Sequence, residues 1–434
     1  MKKFVILLAI LVCSRFGVAD VQFHAKSLPA DSTLLSDWIA LQLTFIRTTK
    51  GITQGHVTRQ FMLNSIVFYE CLAKGDTHYR SLSGQLQQLD KLPQVPKNLR
   101  APAASANAGY GFMLRTFFGN DSLHKREIDS LESLYASRFA AEGLSNSDIQ
   151  VATQYGKAVA LHILKWSKED GSAAVYPPYE IPKGPGKWEP TPPGHVPPAA
   201  PQMIHFRSCI KGSSDNLLPP APISFSTEPA SSFYKMVKEV YDVQAKLTPE
   251  QKAIALFWDD LPDGRYYGGV GHWCSILRQV LKKNKIGLMQ GAEAFVKMTI
   301  ASSDAQLACW KGKYAYNILR PITYITRYMG SPDWKSLIIT PNHPEYPAAH
   351  ATVSTAAATA LSDALGQSVS FTDHTYDDIG FQPRSFISFE EAANEAGRSR
   401  FYGGIHYTPS IDAGHVLGKK TATAVLAGLN IKDK

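Results

Sequence analysis

Apolar residues recur at helical spacing along most of this chain, and almost nowhere do apolar and polar residues alternate as a half-buried strand requires. That periodicity restricts the chain to an all-α fold. Amphipathic runs rich in Ala, Leu and Ser predict helices near 32–50, 56–74, 123–141 and 146–168, a first helical bundle spanning 20–175. From about Tyr176 to Pro201 the sequence becomes YPPYEIPKGPGKWEPTPPGHVPPAAP, whose prolines exclude regular helix. It reads as a linker or a lid, and Tyr179 and Trp188 favour a packed lid, since free linkers rarely carry large aromatics. A C-terminal helical domain over 202–434 follows, with helices expected near 230–245, 248–258, 287–319, 350–365, 388–400 and 410–428. Thr248-Pro249 starts one of these, Ser388 with Glu391 forms a capping box, and Gly366 ends the helix that His350 opens.

Residues 1–19 read as a signal peptide: Lys2 and Lys3, an apolar run from Phe4 to Val12, and small residues Gly17 and Ala19 before the cut. The expected location is therefore exported, periplasmic or secreted. Val12 before Cys13 is bulkier than a lipoprotein site wants. No later run reaches the roughly 20 apolar residues of a stable membrane span. Losing Lys2, Lys3 and Arg15 lowers the formal charge from +8 to +5, and no Lys/Arg block or aromatic-interleaved basic stripe points to nucleic acid. The cysteines beyond the leader, Cys71, Cys209, Cys274 and Cys309, contain no Cys-x-x-Cys pair; an oxidising compartment permits one or two disulfides among them.

Three C-terminal segments carry chemistry. In Lys313-YAYNIL-Arg320-Pro321 two cations seven residues apart fall on one face if the helix continues, and Pro321 then kinks or ends it. In Glu345-Tyr-Pro-Ala-Ala-His350 a loop runs into a small-residue helix, whose N-terminus offers unpaired N–H groups and a dipole suited to an oxyanion, with His350 placed as acid/base. In Gly397-Arg-Ser-Arg400-FYGGI-His406-YTPSI-Asp412 the glycine pair returns His406 across from Arg400, and Asp412 either orients His406 or caps the last helix. Taken singly, each segment is equally consistent with a solvated basic face, a capping residue or a packed histidine. Together, two arginines, a lysine and two histidines supply cations for equatorial oxygens and a histidine for each apex of a tetrahedral oxyanion.

These segments resemble the signature shared by vanadium-dependent haloperoxidases, type 2 phosphatidic acid phosphatases and bacterial acid phosphatases: Lys-x6-Arg-Pro, Pro-Ser-Gly-His and Ser-Arg-x5-His. The chain has Lys313-x6-Arg320-Pro321, Pro347-Ala-Ala-His350 and Ser399-Arg400-x5-His406, and the forms CWKGKYAYNILRPITYI, HPEYPAAHATVS and SRFYGGIHY are more similar to the haloperoxidase branch. The likeness covers roughly the last 180 residues well and the rest thinly. It implies a helical-bundle fold with the site in the C-terminal domain, and vanadate as cofactor. Lys313, Arg320, Arg400 and the Ala349 N–H would hold the oxyanion, His406 would bond vanadium, and His350 would act as acid/base beside Lys313. Hydrogen peroxide, halide and a small organic acceptor would be the reactants. In the phosphatase version a phosphate ester is the substrate, His406 forms a phosphohistidine and no cofactor is needed. Asp260, with Asp259 as fallback, is the acid expected to pair with the second arginine, and His272 lines the pocket or packs as an ordinary histidine. The chain departs from the pattern at Ala348, where the family's hydroxyl donor is missing; His343 or Ser354 is a neighbour able to compensate, and the loss also admits a non-catalytic anion-binding protein. A homodimer is left open.

Overall fold

The computed structural model describes residues 32–215, 217–260 and 264–432; the expected leader and Cys13 lie outside them. Thirteen α-helices and one two-stranded sheet are present among these residues. The first five helices, α1 (Thr33–Thr48), α2 (Gln54–Ala73), α3 (Pro102–Phe118), α4 (Ser122–Ala141) and α5 (Asn146–Lys168), precede the proline-rich stretch. After it come α6 (Ser232–Gln244), α7 (Pro249–Phe257), α8 (Gly268–Lys283), α9 (Leu288–Tyr316), α10 (Pro321–Tyr328), α11 (Ala349–Leu365), α12 (Phe389–Tyr402) and α13 (Thr408–Gly428). Strands β1 (Phe371–Asp373) and β2 (Arg384–Phe386) pair antiparallel between α11 and α12.

Helix α9 is the axis of the molecule. Its apolar and small residues are spread around its whole circumference, so it is buried on all sides rather than along one stripe. It packs on α2 from the first bundle and on α11 and α13 from the second. Across the α2–α9 contact Ser65 and Thr299 share a buried hydrogen bond of 2.6 Å. One apolar core therefore runs from Leu34 to Ile431 through both halves of the chain. The small residues of α11 and α13 serve close approach: a Cβ on Gly418 would meet the Thr352 carbonyl oxygen at 2.2 Å, and one on Gly414 would meet that of Ala348 at 2.7 Å. The start of α11 is thereby pinned by α13.

The proline-rich stretch is a packed strap. Trp188 is buried, and its backbone N–H donates to the Asn317 carbonyl at 2.8 Å. The Ala199 carbonyl accepts from the Tyr314 hydroxyl at 2.6 Å and the Trp310 indole at 3.2 Å. Helices α3 and α8, which the sequence pattern does not single out, begin in runs rich in alanine and glycine. The four cysteines among the described residues, Cys71, Cys209, Cys274 and Cys309, are buried free thiols, so no disulfide forms among them. No helix among the described residues is long and apolar enough to cross a membrane.

Candidate functional site

Lys313 lies in the last turn of α9, but that helix does not continue to Arg320. Asn317 adopts a left-handed conformation (φ 58°) that ends α9, and Arg320 is the N-cap of α10 with Pro321 in its first turn. The expectation of one continuous face is corrected: Pro321 begins a helix rather than kinking one, as its fixed φ and missing N–H allow. The turn still brings the two cations to one place, because both reach the loop before α11. The Lys313 ammonium donates to the Pro344 and Glu345 carbonyls at 2.8 and 3.0 Å. The Arg320 guanidinium donates to the His343 carbonyl at 3.0 Å, to His343 Nδ1 at 3.0 Å, to the Ile405 carbonyl at 2.9 Å and to His406 Nε2 at 3.1 Å.

Glu345 organises His406. Its side chain is fully buried; Oε1 accepts from His406 Nδ1 at 2.7 Å and the Tyr407 N–H at 3.0 Å, and Oε2 from the Ser410 hydroxyl at 2.6 Å. With Nδ1–H given to the carboxylate and Nε2 facing an arginine donor, the network assigns a neutral imidazole with its lone pair on Nε2. Burial, with Arg320 and Lys313 nearby, holds this histidine well below its usual pKa, consistent with the neutral form. Asp412, the orienting acid or cap suggested by sequence, fills neither role. It is exposed in α13, whose N-cap is Tyr407, and its charge acts on His415. Glu345 carried a readable signal, an acid in the same loop as His350, but its partner is 61 positions away.

Arg400, in the last turn of α12, is buried and donates to the Trp258 carbonyl at 2.6 Å, the Ala255 carbonyl at 3.3 Å and the Ser399 hydroxyl at 3.0 Å. Asp260 lies between Arg400 and His350, at 3.9 Å from Arg400 Nη1 and 3.8 Å from His350 Nε2. Burial raises this carboxyl to about 6 against the pull of Arg400. His350 is in the first turn of α11 and its side chain is 14 % exposed, so it faces the open side of the cluster. Burial and Arg400 keep it well below its ordinary pKa. Ala348 is the N-cap of α11 and no side chain caps that helix, which leaves first-turn donors such as the Ala349 N–H unclaimed by a capping group. Of the two neighbours considered as substitutes for the missing hydroxyl, Ser354 accepts the Trp273 indole at 3.0 Å, whereas His343 lies against Arg320. His272 is a packed histidine, paired with Asp373 at 2.6 Å and stacked on Trp258.

The donor set is short of negative charge. Lys313, Arg320 and Arg400 are each at most 1 % exposed. Burial lowers Lys313 to about 7, helped by Arg320, and lowers Arg320 to about 10. An ammonium has three donors and a guanidinium five. Among the described residues, the bonds given above leave at least one N–H on Lys313 and on Arg320, and the Nη1 protons of Arg400, without a hydrogen-bond partner. These groups suit a tetrahedral oxyanion bonded apically by His406. Anion binding restores the charge on Lys313, so affinity should be lost as pH rises through about 7, and binding above that pH should take up a proton from the buffer. Sulfate, which does not titrate in this range, is the suitable probe. Calorimetry in two buffers of different ionisation enthalpy reads the proton, and identical heats with a flat affinity profile would refute it.

Residues 293–430 match the family model described as the VCPO second helical-bundle domain. Among solved structures the chain is similar to the first bacterial vanadium-dependent iodoperoxidase, with 30% identity over 95% of this chain and 99% of that one and a TM-score of 0.82. It is also similar in fold to a bacterial vanadium-dependent chloroperoxidase: the holo form at 17% identity, covering 88% of this chain and 93% of that one (TM-score 0.68), and the apo form at 17% identity, covering 88% and 97% (TM-score 0.67). No curated protein matches the chain in sequence.

Proposed function

The chain belongs to the vanadium-dependent haloperoxidase family, and from that membership we propose that it uses vanadate to oxidise halide with hydrogen peroxide, yielding hypohalous acid that halogenates a small organic acceptor. The observation carrying this reading is His406, fixed at Nδ1 by buried Glu345 and met at Nε2 by buried Arg320, with buried Lys313 and Arg400 close enough to act on its charge. Vanadate in such a cluster supplies Lewis acidity toward hydrogen peroxide without changing its own oxidation state.

The protein's own part is electrostatic and positional. Arg320, Arg400, Lys313 and the Ala349 N–H neutralise the oxyanion, and His406 fixes it through Nε2. His350, neutral and on the open side, accepts a proton from incoming peroxide, with Asp260 beside it to stabilise the imidazolium so formed. Lys313, which gives two N–H groups to the Pro344 and Glu345 carbonyls, would keep its third for an oxygen of the bound group. Iodide is the halide to test first, as in the bacterial iodoperoxidase that the chain resembles. The exported location suggested by residues 1–19 remains part of the proposal.

The test is dye halogenation by protein freed of oxyanions, with and without added orthovanadate. Turnover that requires vanadate, halide and peroxide together is expected. Hydrolysis of an aryl phosphate that vanadate inhibits, without halogenation, would replace this reading by the phosphatase one, and inactivity in both assays would leave an anion-binding protein.

A further inference from the structure

Outside the oxyanion cluster lies a buried histidine–carboxylate pair with no role in the chemistry above. The side chains of His272, in α8, and Asp373, at the end of β1, are 3 % and 0 % exposed and meet at 2.6 Å. Asp373 is fixed from its other side by the Thr375 N–H at 2.9 Å and by Gln279 at 3.3 Å. The imidazole held in this way lies on the indole of Trp258, ring centres 4.4 Å apart and planes 24° from parallel. The indole N–H is gripped as well: it donates to Glu395 at 2.9 Å, and Arg384 holds both oxygens of that carboxylate at 2.6 and 2.7 Å.

The side chain of Trp258 is thus clamped at its face and its edge, while its backbone serves the site. Its carbonyl accepts from Arg400 at 2.6 Å. That carbonyl therefore helps set the direction of a guanidinium that would hold the oxyanion. Residue 258 is the C-cap of α7, where a carbonyl has no partner within the helix.

We propose that His272 and Asp373 are positioning residues: by locking the Trp258 indole they aim the Trp258 carbonyl, and through it Arg400, at the oxyanion. The inference rests on the vanadate reading above. Partners behind a metal site are typically worth about 10- to 100-fold in affinity, and a loss of that size is expected here.

The experiment is orthovanadate binding, read by vanadium-51 NMR and calorimetry rather than by turnover. His272→Phe keeps a ring on the indole but drops the bond to Asp373, and should bind orthovanadate about 10-fold or more weakly. His272→Gln, whose planar amide can both donate to Asp373 and lie on the indole, should recover most of that loss. Asp304→Asn, which disturbs a distant buried carboxylate holding Cys209 and Ile210, controls for destabilisation alone and should leave affinity unchanged. If His272→Phe fails to fold, Asp373→Asn carries the same comparison. Wild-type affinity in the His272 variants would overturn the positioning role and leave the vanadate reading intact, as would an equal loss in Asp304→Asn. A wild-type protein that binds no orthovanadate would overturn both.

Discussion

His406→Ala is expected to lower vanadate-dependent halide oxidation by about a thousandfold or more while the protein stays folded. The imidazole supplies a lone pair, on Nε2, and no neighbouring cation has one to take its place. The stability cost is smaller and has a visible origin. Glu345 loses one of its donors but keeps the Tyr407 N–H and the Ser410 hydroxyl, and Arg320 keeps the Ile405 carbonyl. One weakened buried carboxylate is worth about 1–3 kcal/mol, a modest shift in Tm for a chain this long. Activity with added vanadate and the melting temperature, measured on one preparation, separate the two effects. Retained vanadate-dependent oxidation would mean that His406 does not fix the oxyanion.

How these residues meet was only partly legible in the sequence. Helical period placed the ends of α5, α7 and α11 well, and Thr248 with Gln251 forms a full capping box at α7. At α12 Ser388 accepts the Glu391 N–H, but the Glu391 carboxylate turns to the Ile387 N–H instead of completing the box. The spacing of Lys313, Arg320, His350, Arg400 and His406 marked the cluster because side-chain chemistry is local to a residue. Its connections are not. That α9 stops at Asn317 depends on a left-handed residue whose carbonyl is taken by Trp188 of the strap, a contact across 129 positions. The choice of Glu345 over Asp412 is likewise tertiary: α13 turns Asp412 outward and Ser410 inward. The hairpin that carries Asp373 has three-residue strands, too short for any alternating pattern to appear.

Arg320→Met tests the charge balance itself, and its sign depends on whether an anion is present. Arg320 is a buried cation next to Lys313; both are pushed toward their neutral forms by burial, and Lys313 by Arg320 as well. Removing it orphans the His343 and Ile405 carbonyls, at about 1–3 kcal/mol for each group left without a partner. Relief of desolvation and of the repulsion on Lys313 offsets part of that cost. Adding vanadate separates the proteins. Wild type should gain about 2.7 kcal/mol at a hundredfold excess over Kd, because ligand binds only the folded state; Arg320→Met, lacking the donor between His343 and His406, should gain almost nothing. The expected result is a vanadate-dependent rise in Tm for wild type that disappears in the variant, at a smaller difference between the two without vanadate. A variant that keeps the full vanadate-dependent rise would show that Arg320 serves only to tie the 343–345 loop to Ile405, and that the oxyanion is held elsewhere.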